Sequence, residues 1–184
     1  MSKHLPLTGR QSSFGDGEII VSKTDTRGII TYVNDVFVRV SGYTEEELIG
    51  APHNLIRHPR MPRGVFRLLW ETVKGGEELF AYVLNRSKNG DEYWVYAHVT
   101  PSRDRQGRLV GYHSNRRSPY LDALPAVKRL YAQMMEEEAR HRTAAEAATA
   151  GLAVLQQTLE AGGVTYPEFV FSLSKHTTLA GSAE

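Results

Sequence analysis

The chain contains no cysteine. That absence removes disulfides, thiolate metal sites, iron–sulfur clusters and thiol nucleophiles together. No run of about 18 apolar residues occurs either, so no segment is expected to span a membrane. Net charge is small: 22 Lys and Arg against 21 Asp and Glu leave +1, and the basic residues are scattered. A nucleic-acid binder gathers positive charge on one face, so nucleic acid is not an expected partner. Residues 1–17 are polar and lack the apolar core of a secretory leader. Together these absences fit a cytoplasmic protein. Nucleophile–base pairs, paired carboxylates and phosphate-cradling loops are also missing, so an enzyme is not expected.

What is present fits a globular domain with an extension: 184 residues, 41% hydrophobic and 23% charged. The stretch that stands out is 52–62, Pro-His-Asn-Leu-Ile-Arg-His-Pro-Arg-Met-Pro. It has no helix or strand period, and its prolines oppose both elements. It holds His53, Arg57, His58 and Arg60 in a stiff loop. Loops with convergent polar groups are where binding sites usually lie. His53 and His58 are five apart, wrong for one helical face, and are not expected to hold a metal.

The rest of the chain reads in order. Two β-branched runs, 19–24 and 29–33, flank the turn Asp25-Thr26-Arg27-Gly28 and form a hairpin. Asn34 caps a short helix that Gly42 ends. Thr44 with Glu47 is a capping box for a second, ending at Gly50. Pro62 opens a third helix, with Val65, Phe66, Leu69 and Val73 on its apolar face and Gly75-Gly76 at its end. Strands over 79–86 and 92–102 are joined by a turn containing Asn89-Gly90, and a last strand covers 109–117. Two strands, a helical middle and a three-strand meander make an α+β layout with helices on one side of an antiparallel sheet.

From Pro125 the composition becomes helical. Val127, Tyr131, Met134, Glu138, His141, Ala145, Ala148, Leu152, Leu155 and Leu159 follow a heptad seam, interrupted by Glu138 and His141, with Gly151 a point of bending. One long coiled-coil-like helix is therefore expected to Gly162, and a homodimer through it. Thr165-Tyr166-Pro167-Glu168 starts a short helix to 174, and the tail from 175 is expected to fray. The expected organisation is a flexible arm (1–16), a sensor domain (17–118), a signalling and dimerisation helix (119–162), and a short helix with tail (163–184).

Several segments resemble a PAS domain: Asn34 with Ser41-Gly42-Tyr43-Thr44-Glu45-Glu46-Glu47-Leu48-Ile49-Gly50, then Lys88-Asn89-Gly90-Asp91-Glu92-Tyr93-Trp94-Val95, then the close at 107–114. Pro-His-Asn-Leu-Ile-Arg-His-Pro, with Met61-Pro62, Phe66 and Trp70 after it, is similar to the sensing domain of bacterial aerotaxis receptors, which bind FAD. The resemblance covers roughly 17–118. It implies a five-stranded PAS fold, and a flavin site drawing on Asn34, His53, Arg57, His58, Phe66, Trp70 and Asn85. An asparagine amide can answer a flavin's alternating donors and acceptors, and Arg57 and His58 suit a pyrophosphate or adenine. Asn34 also reads as a plain cap, and Phe66 and Trp70 as plain core. Two positions depart from the family pattern: Arg60 replaces an acid and Leu79 an aromatic. Lacking cysteine, the chain cannot form the thiol adduct of LOV photoreceptors, which leaves a redox or oxygen signal. The alternatives are a haem-based gas sensor using His53, His58, His98 or His113, and a ligand-free interaction module. No output domain was recognised, so an unidentified downstream signalling protein is expected to listen to the helix.

Overall fold

The computed structural model of the chain describes residues 6–174, and the tail from 175 lies outside them. Five antiparallel strands form one sheet in the order β2-β1-β5-β4-β3. They are β1(Ile20–Thr24), β2(Ile30–Val33), β3(Leu79–Arg86), β4(Glu92–Arg103) and β5(Leu109–Arg117). Between β2 and β3 lie α1(Asp35–Ser41), α2(Glu45–Leu48) and α3(Arg63–Lys74). Four of the local signals behave as their chemistry dictates. Asn34 accepts from the Phe37 amide to start α1, and Gly42 ends it in the left-handed conformation at φ 71°. Thr44 and Glu47 close both halves of a capping box on α2. Gly90 takes φ 93° in the β3–β4 turn.

The 52–62 stretch is not wholly irregular. His53–Ile56 forms a single 3-10 turn entered from Pro52. A one-turn 3-10 segment needs no extended period, which is how it escaped a reading based on periodicity. The segment expected as an arm carries backbone bonds: Thr8 donates to Gly90 and Ser12 to Glu92, while Glu92 donates to Arg10. A Cβ on Gly90 would collide with the Pro6 carbonyl, so this glycine serves the turn and the arm together.

Two compact units emerge: residues 1–60 with 72–118, and residues 61–71 with 119–184. The first holds the sheet, α1 and α2. Its core includes Ile20, Ile30, Phe37, Leu48, Ile56, Tyr93 and Val95, each 1% exposed or less.

The second unit holds the start of α3 and the C-terminal helices. The expected helical stretch is present, and it is divided into α4(Leu124–Glu138) and α5(Ala144–Gly162), followed by α6(Tyr166–Ser174). Thr143 is a new N-cap, with a complete capping box to Glu146, so the chain restarts a helix instead of continuing one. The seam residues Val127, Tyr131, Met134, Leu152 and Leu155 are buried within this single chain. One interruption of the seam, Glu138, meets the expected bending point, Gly151: a Cβ built on Gly151 would lie 2.8 Å from Glu138 Cδ. Glu138, itself buried, accepts from the Arg63 amide (2.9 Å) and the Gly64 amide (2.8 Å). Those amides open α3, so Glu138 caps a helix 75 residues away in sequence. Gly64 in turn lets α5 approach, since a Cβ there would lie 2.6 Å from the Gly151 carbonyl carbon.

Candidate functional site

Register decides which side chains share a face of the sheet. Arg116 pairs with Ile20 on one side and Ala97 on the other. Ala97 pairs with Ala81, and Tyr93 with Asn85. Because side chains alternate, Ser22, Tyr93, Ala97, Asn85 and Arg116 all project from one face. The 3-10 turn and α1 cover that face: His53 Nε2 lies 3.2 Å from Ser22 Oγ, and the Phe37 ring lies 4.5 Å from the Arg116 guanidinium carbon. On the opposite face Phe80 stacks on His98 at 4.1 Å and Tyr82 leans on Tyr96 at 5.0 Å.

The inner face holds an unusual set of polar groups. Arg116 is 2% exposed, Asn85 3%, Ser22 1% and Tyr93 0%. Arg116 Nη2 donates to Ser22 Oγ, but Nε and Nη1 have no hydrogen-bond partner. Asn85 Nδ2 and the Tyr93 hydroxyl have none either. Among the described residues no carboxylate pairs with Arg116. A buried charge without a partner costs several kcal/mol, on the order of the penalty for breaking a buried ion pair. The pKa values register that burial. Desolvation pulls Arg116 down to about 10, opposed by Tyr93. Desolvation, helped by the Arg116 charge, pulls His53 down to about 3. His53 is half-buried as a residue, but its ring is the part set against Phe37 and Ser22. Burial raises the Tyr93 hydroxyl, opposed by Arg116. The inner face therefore offers donors that lack acceptors.

The expected residues fall into three groups. Asn85 is buried on the inner face, and its backbone bridges to Arg57, which draws the 52–62 stretch to the sheet edge. Asn34 is engaged within the protein: Oδ1 accepts from Phe37 N and Val21 N, and Nδ2 donates to Ile19 O at 2.8 Å. His58, 1% exposed, accepts at Nδ1 from the Arg60 amide. Its Nε2 stands 3.3 Å from Glu92, too poorly aligned for a hydrogen bond though close enough for an ion pair. Burial lowers the His58 pKa, the Glu92 carboxylate opposes this, and Arg60 and Arg86 add to the lowering. Arg60, in the position where the family pattern has an acid, pairs with Glu92 and so helps hold the loop. Phe66 and Trp70 lie half-buried on α3 within the second unit. Of the other histidines, His98 bonds Glu78 on the opposite face, and His113 pairs with Thr100 there.

Arg116, Tyr93 and Ser22 were not among the residues the sequence pointed to. Their signal was the alternation itself. Once β5 is laid beside β4, Arg116 falls opposite Ala97, on the apolar parity of Tyr93, Val95 and Val99. A surface groove of about 450 Å³ lined by Arg39, Lys88, Asn89 and Asp91 contains none of these groups.

The site is the inner face of a helix-covered antiparallel sheet, rich in buried donors and poor in acceptors. Residues 30–116 match the model of the PAS fold family, and the sheet with its covering helices has the PAS fold. Among relatives, the chain is 44% identical over 131 residues to the aerotaxis receptor of Escherichia coli (strain K12), covering 71% of this chain and 26% of that protein. It is 30% identical over 94 residues to the nitrogen fixation regulatory protein of Klebsiella pneumoniae, covering 51% of this chain and 19% of that protein. The chain thus spans about a quarter or less of the length of these relatives. The light-state structure of the blue-light photoreceptor Aureochrome1 LOV superposes with a TM-score of 0.52 at 21% identity, over 64% of this chain and 91% of that one. A LOV domain studied with a flavin analogue gives 0.53 at 20%, over 60% of this chain and 83% of that one. These two likenesses speak to the fold. Among the described residues no helix is long and apolar enough to cross a membrane.

Proposed function

We propose that this chain is a cytoplasmic flavin-binding sensor that holds FAD on the inner face of the sheet and reports redox state or oxygen to another protein. The observation that carries this reading is the set of buried donors without acceptors: Asn85 Nδ2 and Arg116 Nε and Nη1. The pyrimidine edge of a flavin presents two carbonyl oxygens and N1 as acceptors, with the N3–H donor between the carbonyls. The 44% identity to an aerotaxis receptor supports the same reading.

Each residue then has a task. Asn85 donates to the ring edge. Asn34 fixes α1 against β1, and His53 and Phe37 pack over the inner face. His58, Arg60 and Glu92 hold the loop that carries Arg57, whose planar fork suits a pyrophosphate. When bound, the flavin supplies reversible two-electron chemistry. The histidines give haem less support, because His98 and His113 lie on the face opposite the buried donors.

The output is assigned to the helical unit. Dimerisation through the heptad seam requires the α4–α5 pair to open, since Val127, Tyr131, Met134, Leu152 and Leu155 are already covered. A signal that releases Glu138 from α3 makes this surface available. The first test is the absorption spectrum of freshly purified protein and the mass of the released pigment. A structured blue band and the mass of FAD are expected. A Soret band, or a colourless protein that takes up no added FAD, overturns the reading.

A further inference from the structure

The Arg116 guanidinium is a buried cation on the inner face with no carboxylate partner among the described residues. It is 2% exposed and sits on β5, the central strand of the five-stranded sheet. One of its nitrogens is anchored to Ser22, its carbon lies over Phe37, and the remaining two nitrogens are bare. Ser22 is itself fixed by His53, so the fork is held in one orientation from two sides. A planar cation anchored through one nitrogen, with donors left over on the other two, is arranged to meet an acceptor or a delocalised negative charge.

We propose that Arg116 is a cofactor-contacting residue that donates from Nη1 to the carbonyl edge of the flavin pyrimidine ring and so favours the reduced cofactor. This rests on the flavin reading above. Reduction by two electrons and one proton turns the neutral oxidised isoalloxazine into an anion whose charge is spread over the N1 and O2 edge. A fixed cation there binds the reduced ring more tightly than the oxidised one, and differential binding of two states is a shift in their equilibrium. Ser22 and His53 act through Arg116 as positioning residues.

The test compares wild type, Arg116→Gln and Arg116→Met, each as the full chain. Reduction potentials are measured by dithionite titration against a reference dye. Affinities for FAD and riboflavin, and melting temperatures of the pigment-free proteins, complete the set. Losing the cation is expected to weaken the preference for the reduced cofactor tenfold to hundredfold, a fall of about 30 to 60 mV for a two-electron couple. FAD and riboflavin are expected to weaken together, because the contact is with the ring they share. Pigment-free Arg116→Met is expected to melt no lower than wild type, since it removes an unpaired buried charge. Should a variant bind no flavin at all, riboflavin and FAD lost together support the contact. A potential unchanged in both variants overturns the proposal. A loss confined to FAD, with riboflavin unaffected, overturns it in favour of a phosphate contact. A clear drop in the pigment-free melting temperature overturns it in favour of a structural role. If wild type itself binds neither flavin, the failure lies with the flavin reading.

Discussion

Gly151 should change from harmful to helpful to replace, depending on what stands at position 138. In the native chain a Cβ at Gly151 collides with the Glu138 carboxylate, 2.8 Å from Cδ and closer still to Oε1. Gly151→Ala must therefore displace the side chain that caps α3 through the Arg63 and Gly64 amides. Hydrogen bonds to a charged group contribute about 1.5–3 kcal/mol each. Losing two at the low end costs about 3 kcal/mol, and alanine returns about 1 kcal/mol as the better helix former. The expected net loss is about 2 kcal/mol. With Glu138→Ala already in place the collision partner is gone, and the same substitution should stabilise by about 1 kcal/mol. The coupling between the two positions is then about 3 kcal/mol, well above the few tenths expected of independent sites. Urea unfolding followed by far-UV circular dichroism on the four chains gives each free energy. If Gly151→Ala costs the same in both backgrounds, the glycine is not there to admit the carboxylate, and the Glu138 cap has no part in joining α3 to the helical pair.

Three further outcomes follow from the first unit. Acid should destabilise the protein through His53: its folded pKa, about 3, lies below the ordinary 6.5, so below pH 6.5 the unfolded chain takes up a proton that the folded chain refuses. That stability is complete above pH 6.5 and drains as the pH falls toward 3, by about 1.4 kcal/mol between pH 7.5 and 5.5. Unfolding titrations of His53→Gln at those two pH values should show the difference shrunk by that amount. Asn85→Ala removes a buried donor with no protein partner, so FAD affinity should fall at least ~10-fold while the pigment-free protein melts no lower. A fall in that melting temperature, read by circular dichroism, would give Asn85 a structural role instead. Gly90→Ala forces a side chain into φ 93° and onto Pro6, costing roughly 1–2 kcal/mol. Limited proteolysis should then cut within 6–12 sooner than in wild type.

Much of the fold was legible because it rests on local chemistry. Asn34, Gly42 and the Thr44–Glu47 box each act within a few residues, and β3 and β5 run over the expected 79–86 and 109–117. What escaped depends on contacts between distant segments or on one signal masking another. His141 and Ala145 keep the four-and-three spacing across 139–143, so the seam hid the break. The Thr143–Glu146 box was the signal that outweighed it. Glu138 and Gly151 each looked like a flaw in a coiled coil, and only their contact shows them to be one feature. At the site, Asn85 was found through resemblance. Arg116 was not, because a charged residue near a strand end reads as exposed until the β4–β5 register places it opposite Ala97. Asn34 carries both readings: the cap is visible in its bonds, and its part in the site is to hold α1 over the inner face.

The most direct measurement is a crystal structure of the chain saturated with FAD. The account predicts the isoalloxazine between α1 and the sheet, with Asn85 Nδ2 and Arg116 within 3.2 Å of its carbonyl edge, an ordinary hydrogen-bond distance. A flavin bound on the opposite face beside Phe80 and Tyr96, with Asn85 and Arg116 left as they are without it, would contradict the account.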